Sequence, residues 1–388
     1  MSPGQGEAEM NDLLSNVMPP LPCLDKSFPN GDIRNLESLS PSVSALKQLL
    51  TTSLNLRIRD VPSLAMSCIN DCEQKTSKIA ILFSGGVDCT VLARIANDLV
   101  PMKESIDLLN VAFENPRIIA AANKGSSQHR NKPGRSDDVQ ISPNELDGEN
   151  QSVDPGKSAF GPQADASLQT SPYDNCPDRV TARSSLAELQ QINVPYPETL
   201  RHRRRVVSLI HPHNTEMDLS IGYAFYFAAR GEGHVYDSAS NTFSEYKTCA
   251  RILLSGLGAD ELFAGYTRHA TAFHRRGFSG LTEELELDFS RLGKRNLGRD
   301  DRIISSWGKE ARFPYLDEDL LRWAMSCPVW EKCGFGQKID QNETNEGGGL
   351  EPGKKVLRLL AWNLGMKRVA AEKKRAVSLL ASTHPQKC

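Results

Sequence analysis

Apolar residues along the chain fall into two alternating patterns. From Ser40 onward Val43, Leu46, Leu50 and Leu54 recur at steps of three and four, which predicts an amphipathic helix that Ser40 can cap and Pro41 can begin. Five apolar residues, Ile79 to Phe83, then run into Ser84-Gly85-Gly86, and the helical period returns through Val87, Val91, Leu92 and Ile95. That stretch reads as buried strand, tight loop and helix. The run from Ile106 to Glu114 predicts a second strand, parallel to the first because the intervening helix supplies the crossover. Residues 177–192 predict a helix with Leu186, Leu189 and Ile192 on one face, and Val206 to Pro212 a further strand. Ser220 to Gly231 predicts a helix buried on most sides, and residues 249–266 repeat the apolar-run-then-glycine pattern. From Leu281 onward only helical spacing is visible, at Leu281, Leu285 and Leu292, at Leu320, Leu321 and Trp323, and at Val356, Leu357, Leu360 and Leu364. Alternating strand and helix argue for an α/β fold with a central parallel sheet and helical additions toward the carboxyl end.

Two segments break the pattern. Residues 1–39 are rich in Pro, Ser, Asn and Gly without sustained periodicity, and are expected to form a poorly ordered lead-in to a domain over 40–388. A disordered insertion is expected at 117–176: between Asn123 and Cys176, 29 of 54 residues are Gly, Pro, Ser, Asn or Asp, too little apolar surface to offset the entropy of ordering. The net charge of −2 removes any whole-chain attraction to nucleic acid or anionic membrane. Nine cysteines without a CxxC pair suggest reduced thiols rather than a zinc site or a disulfide framework. No apolar stretch approaches the roughly 20 residues of a membrane span, and the amino terminus lacks a secretory signal. The expectation is a cytoplasmic chain without nucleic-acid or membrane partners.

Chemistry concentrates first at Ser84-Gly85-Gly86-Val87-Asp88. Free N–H groups at a helix start, on glycines that let a ligand approach closely, form an anion nest suited to polyphosphate. GxxxxGK[ST] and GxGxxG are both absent. Asp88 would repel phosphate directly, so its natural task is to hold Mg²⁺ against it. The alternative is an ordinary glycine-rich turn with an aspartate favoured by the helix dipole. A second glycine turn, Ser255-Gly256-Leu257-Gly258-Ala259-Asp260-Glu261, leads into Leu262-Phe263-Ala264-Gly265-Tyr266, and a third block spans residues 295–321, RNLGRDDRIISSWGKEARFPYLDEDLL.

These three blocks resemble, in order, the pyrophosphate loop, the SGEGSDExxGGY segment and the DR…G-x-EaRxPFLD block of the asparagine synthetases, within the ATP pyrophosphatase superfamily. The insertion and the PDRVTAR restart are most similar to a eukaryotic offshoot of those enzymes. The resemblance implies a sheet of the adenine nucleotide alpha hydrolase type. It also implies adenylation of the aspartate side-chain carboxylate, or of a similar acid, followed by attack of ammonia, as in asparagine biosynthesis. Carried over residue by residue, the backbone at Phe83 and Ala112 would frame adenine and ribose, and Ser84, Gly85 and Gly86 would cradle pyrophosphate. Cys89 stands where the family often has Ser, Ser255 and Gly256 would close the ATP pocket, and Asp88 and Asp260 would share Mg²⁺. Lys354 matches a KxxLR element and Lys374 an active-site lysine, either of which could stabilise the departing pyrophosphate; solvated helix-face charges are the alternative for both.

Two departures stand out. Leu257 replaces the acidic residue that in the synthetases supports adenylate formation and proton removal, and leucine can do neither. A catalytically degenerate nucleotide-binding or scaffold protein is therefore the alternative reading, and Glu261 is not expected to substitute. No glutaminase of ordinary length fits before Ser40, so ammonia is expected from solution or from a separate glutaminase. A thiolating enzyme would need paired cysteines near the loop, which Cys89 does not supply. Elsewhere, Arg201 to Arg205 reads as the solvated start of the strand after it, and His211 and His213 as an ordinary loop. The four tryptophans read as core or interface residues, and Asp301, Arg302, Glu310, Arg312 and Asp317 as an ion-pair network around the pocket.

Overall fold

The computed structural model describes residues 21–29, 31, 33–62, 77–116, 171, 173–174, 176–185, 190–237, 240–337 and 349–373. Its centre is a seven-stranded sheet in the order β5-β4-β3-β2-β1-β6-β7. The strands are β1 (Ile79–Leu82), β2 (Ile106–Phe113), β3 (Gln190–Val194), β4 (Glu232–Asp237), β5 (Thr242–Lys247), β6 (Ile252–Leu254) and β7 (Glu310–Arg312). The five from β3 to β7 along the sheet run parallel, and β4 and β5 add an antiparallel hairpin at one edge. β1 pairs with β2 on one side and β6 on the other, so the connection reverses direction across the sheet between β1 and β6. In open α/β sheets such a switch point opens a crevice at the carboxyl ends of the strands, where ligands bind. The fold is thus the α/β type expected, with the antiparallel hairpin added.

Alternation along the strands feeds two cores. Ile79, Ile81, Ile252 and Leu254 face α1 (Pro41–Ile58), α2 (Val87–Leu99) and α10 (Lys355–Asn363), while Ala80 and Leu253 face α4 (Tyr196–Ile210), α5 (Glu216–Arg230) and α8 (Gly298–Ser305). Val43, Leu46, Leu50 and Leu54 form the buried stripe of α1 that their spacing predicted. Ser40 precedes that helix, but its side chain accepts from Glu37 N–H at 2.9 Å rather than capping the first turn. The other helices are α3 (Pro177–Ser185), α6 (Ala259–Leu262), α7 (Thr267–Leu292), α9 (Glu318–Ser326) and α11 (Lys367–Ala371).

Three expectations are corrected. Val206 to Ile210 is the end of helix α4 and not a strand: Val206 and Ile210 lie four apart on its buried face, and Arg201, Arg203, Arg204 and Arg205 lie on its exposed one. The helix expected over 177–192 is described as Pro177–Ser185 and does not reach Ile192, which lies in β3; residues 186–189 fall outside those described. The lead-in is partly packed, since Leu24 and Leu36 are buried and Asp25 N–H donates to Met325 O at 2.7 Å. The amino-terminal residues 1–20, most of the insertion (117–170, 172 and 175) and Lys374 lie outside the described residues. Among those described, no helix is long and apolar enough to cross a membrane.

Candidate nucleotide site

The first glycine turn lies where β1 stops. Phe83 N–H donates to Leu109 O at 2.9 Å, after which Ser84 turns outward and is exposed. Gly85 takes φ +84°, the left-handed region that glycine enters without penalty, and an added Cβ would overlap the backbone of Thr181 and Ala182 in α3. Gly86 precedes α2, whose first turn carries Asp88. Cys89 is buried, its thiol donates to Gly86 O at 3.2 Å, and burial pushes its pKa up, so it packs rather than reacts. Ala112 lies in β2 beyond the point where β1 ends, fully buried and in register with Asn193.

The second turn follows β6, next to β1 in the sheet. Ser255 is buried and its N–H donates to Arg312 O at 3.0 Å. A Cβ on Gly256 would stand 3.0 Å from Asp88 Cβ, so the two glycine turns are in contact. Gly258, at φ +103°, lets the chain fold against Leu316 and start α6 with Asp260 in its first turn.

Both turns meet at Lys354. Its Nζ donates to Asp88 Oδ1 and Oδ2 at 2.8 and 2.6 Å and pairs with Asp260 Oδ1 at 2.8 Å, with the lysine side chain only 6% exposed. The carboxylates raise the ammonium's pKa against the opposing effect of burial. The solvated helix-face reading of Lys354 is therefore wrong. Its backbone, at φ +58°, precedes α10, and its N–H donates to Phe263 O at 2.8 Å. A Cβ on Gly265 would overlap both Asp260 Oδ1 and Lys354 Cε, so only glycine leaves room for the junction. Tyr315, fully buried, donates from Oη to Asp88 O at 3.0 Å.

A polar network fixes α3 over the first turn. Asn110 Nδ2 donates to Phe83 O at 2.9 Å and to Asp178 O at 3.2 Å, while its Oδ1 accepts from Arg179 Nε at 2.6 Å. Arg179 is fully buried and also donates to Gln191 Oε1 at 2.7 Å; burial lowers its pKa to about 10. Burial raises Asp178 to about 6. Sequence reasoning passed over Asn110, Arg179 and Tyr315. Asn110 is signalled as a lone polar residue within an apolar run, and Arg179 and Tyr315 only by lying in the PDRVTAR restart and the third block.

Glu261 is buried and accepts from Tyr266 Oη at 2.7 Å, which fits the expectation that it does not stand in for an acid at position 257. Leu257 itself is half-buried. The third block does not form one ion-pair network. Arg312 pairs with Glu310, Asp317 pairs with Arg57 of α1, Arg302 donates to the carbonyls of Leu209 and His211, and Asp301 is exposed.

Asp300 yields a pH prediction. Burial raises it to about 7 although Arg299 lies at 2.8 Å, and Glu261 and Asp218 push in the same direction as burial. Between the ordinary value of 3.8 and about 7 the folded chain holds a proton that the unfolded chain has released, so stability falls as pH rises through that window. Asp178 adds a slope of the same sign up to about 6. Urea titrations at stepped pH are expected to show Asp300→Asn with a shallower decline than the parent; an unchanged slope would contradict the assignment.

The family model for asparagine synthase matches residues 274–386. Asparagine synthetase domain-containing protein 1 of Bos taurus is 37% identical over 352 residues, covering 85% of this chain and 49% of its own. Residues 274–386 thus carry an asparagine synthase domain, and most of the chain is similar to the asparagine synthetase domain-containing proteins. The asparagine synthetase domain-containing protein YML096W of Saccharomyces cerevisiae is 31% identical over 294 residues, 74% of this chain and 46% of that one. A putative asparagine synthetase [glutamine-hydrolyzing] 1 of Methanocaldococcus jannaschii is 37% identical over 134 residues, 34% of this chain and 24% of that one. The chain spans about half the length of the asparagine synthetase domain-containing relatives it matches.

Proposed function

We propose that the chain binds ATP with Mg²⁺ at the carboxyl ends of β1 and β6 and acts as an amide-forming synthetase domain of asparagine biosynthesis. The observation that carries this reading is the convergence of Asp88 and Asp260 on one buried cation at the switch point of the sheet. The donor set fits the metal: carboxylate oxygens from two turns surround one position, the hard-ligand chemistry that Mg²⁺ prefers. Asp88 and Asp260 would hold it, and when bound it neutralises phosphate charge. The amino-terminal end of α2, preceded by Ser84, Gly85 and Gly86, offers N–H groups to the phosphates. Phe83 and Ala112 flank the adenine side, Ser255 and Gly256 close the opposite wall, and Lys354 and Lys374 are cations for the leaving pyrophosphate.

In the proposed reaction a side-chain carboxylate oxygen of aspartate, or of a similar acid, attacks the α-phosphorus of ATP and the bond to pyrophosphate breaks. Ammonia, from solution or from a separate glutaminase, then attacks the acyl carbon. The bond to AMP breaks and a proton leaves the nitrogen. One observation favours a second reading, nucleotide binding without amide formation: Leu257 offers no group to take that proton.

Pyrophosphate release from ATP, Mg²⁺, aspartate and ammonium, measured beside direct ATP binding, separates the two. The synthetase reading expects aspartate-dependent release, which Leu257→Glu raises by roughly 10–100-fold through restored proton transfer. ATP binding with no release in either protein selects the second reading; absence of ATP binding ends both.

A further inference from the structure

The ammonium of Lys354 sits between two carboxylates, where the proposed function places a divalent ion. Its three protons match three oxygens, Asp88 Oδ1 and Oδ2 and Asp260 Oδ1, at 2.6–2.8 Å. Magnesium would demand oxygens at about 2.0–2.1 Å, so ammonium and metal cannot share the position. Nor is Lys354 a chance visitor. Its N–H is tied to Phe263 O, Gly353 packs against Ala264 O, and Gly265 lies against its Cε. The buried ammonium therefore leaves these half-buried acceptors only if another anion receives it.

We infer that Lys354 is a tethered cation that holds the metal position in the nucleotide-free protein. Divalent ion alone is excluded, and it enters with a polyphosphate that accepts the displaced ammonium. Binding is thereby ordered, and free Mg²⁺ is not captured by the empty enzyme. This rests on the reading of the site as a metal–nucleotide site.

The test uses Mn²⁺ alone as the probe. Free Mn²⁺ is followed by its paramagnetic resonance signal during titration of the full chain without nucleotide. The wild type is expected to bind Mn²⁺ weakly, and Lys354→Met, which unmasks both carboxylates, to bind a single Mn²⁺ at least about tenfold more tightly. Asp260→Asn in the Lys354→Met background should abolish that gain, and Lys354→Arg, which keeps a cation, should behave as wild type. Tight Mn²⁺ binding by the nucleotide-free wild type, or no gain in a Lys354→Met chain of native circular dichroism, overturns the inference. Should Lys354→Met not fold, the wild type decides: Mn²⁺ affinity must rise when a non-hydrolysable ATP analogue is present, beyond the analogue's own binding of the ion. The Lys354→Met arm needs no nucleotide, so its failure is distinct from a failure of ATP binding.

Discussion

Gly265→Ala is expected to lower ATP affinity by roughly tenfold or more and to destabilise the chain by about 2–3 kcal/mol, the range of overpacking in a rigid site. The backbone at Gly265 shows no unusual φ, so the effect is steric. The new methyl group would occupy the space of Asp260 Oδ1 and Lys354 Cε, and both are held: the aspartate by the ammonium, the lysine by Asp88 and by its own N–H to Phe263 O. One of them must move, and either movement separates Asp260 from Asp88. Gly293→Ala supplies the control, since a Cβ there meets nothing within 4 Å and the backbone is α-helical in its angles. That substitution is expected to be neutral or to stabilise by about 0.5–1 kcal/mol. Urea unfolding and calorimetric ATP titration of both variants check the pair. Equal behaviour would mean that the junction tolerates rearrangement.

Arg179→Ala should be the most damaging single truncation away from the carboxylates. The fully buried guanidinium donates from α3 to Asn110 of β2 and to Gln191 of β3. Deleting it leaves Asn110 Oδ1 without that donor and a cavity the size of the side chain, for an expected loss of about 3–5 kcal/mol. Gln191 Oε1 keeps a second donor, Arg183 Nη2 at 2.9 Å, so the penalty centres on Asn110. Because α3 packs directly on Gly85, loosening it also frees the first glycine turn, and ATP binding should weaken with stability. Arg179→Met, which restores volume without hydrogen bonds, is expected to recover part of the stability. If Arg179→Ala unfolds at the same urea concentration as the parent, the network carries no weight.

The strands nearest the site were legible in the sequence because they are buried on both faces and end in glycine turns, as at Ile79 to Phe83 and Ile252 to Leu254. Elements at the sheet's far edge were not. β5 is exposed along nearly its whole length and shows no apolar alternation, and β3 is five residues reading QQINV, whose burial comes from neighbours distant in the sequence. Val206 to Ile210 misled because an apolar run of that length suits a strand or one face of a helix equally. Within the site, both aspartates were visible as the acidic members of glycine turns. Lys354 was ambiguous, since a lysine opening a helix is ordinarily solvated, and only the left-handed backbone that aims it inward distinguishes it. Arg179 and Tyr315 lie in segments that the resemblance marked, the PDRVTAR restart and the third block, but nothing in either segment singled out these two side chains.

The most direct test is a calorimetric titration of ATP into the wild type, Asp88→Asn and Asp260→Asn, each with Mg²⁺ and again with a chelator. Two turns that jointly grip a metal–nucleotide predict saturable binding by the wild type that depends on the metal and is weakened to a similar extent by either substitution. Binding indifferent to the metal, or lost through one aspartate while the other is dispensable, would contradict it.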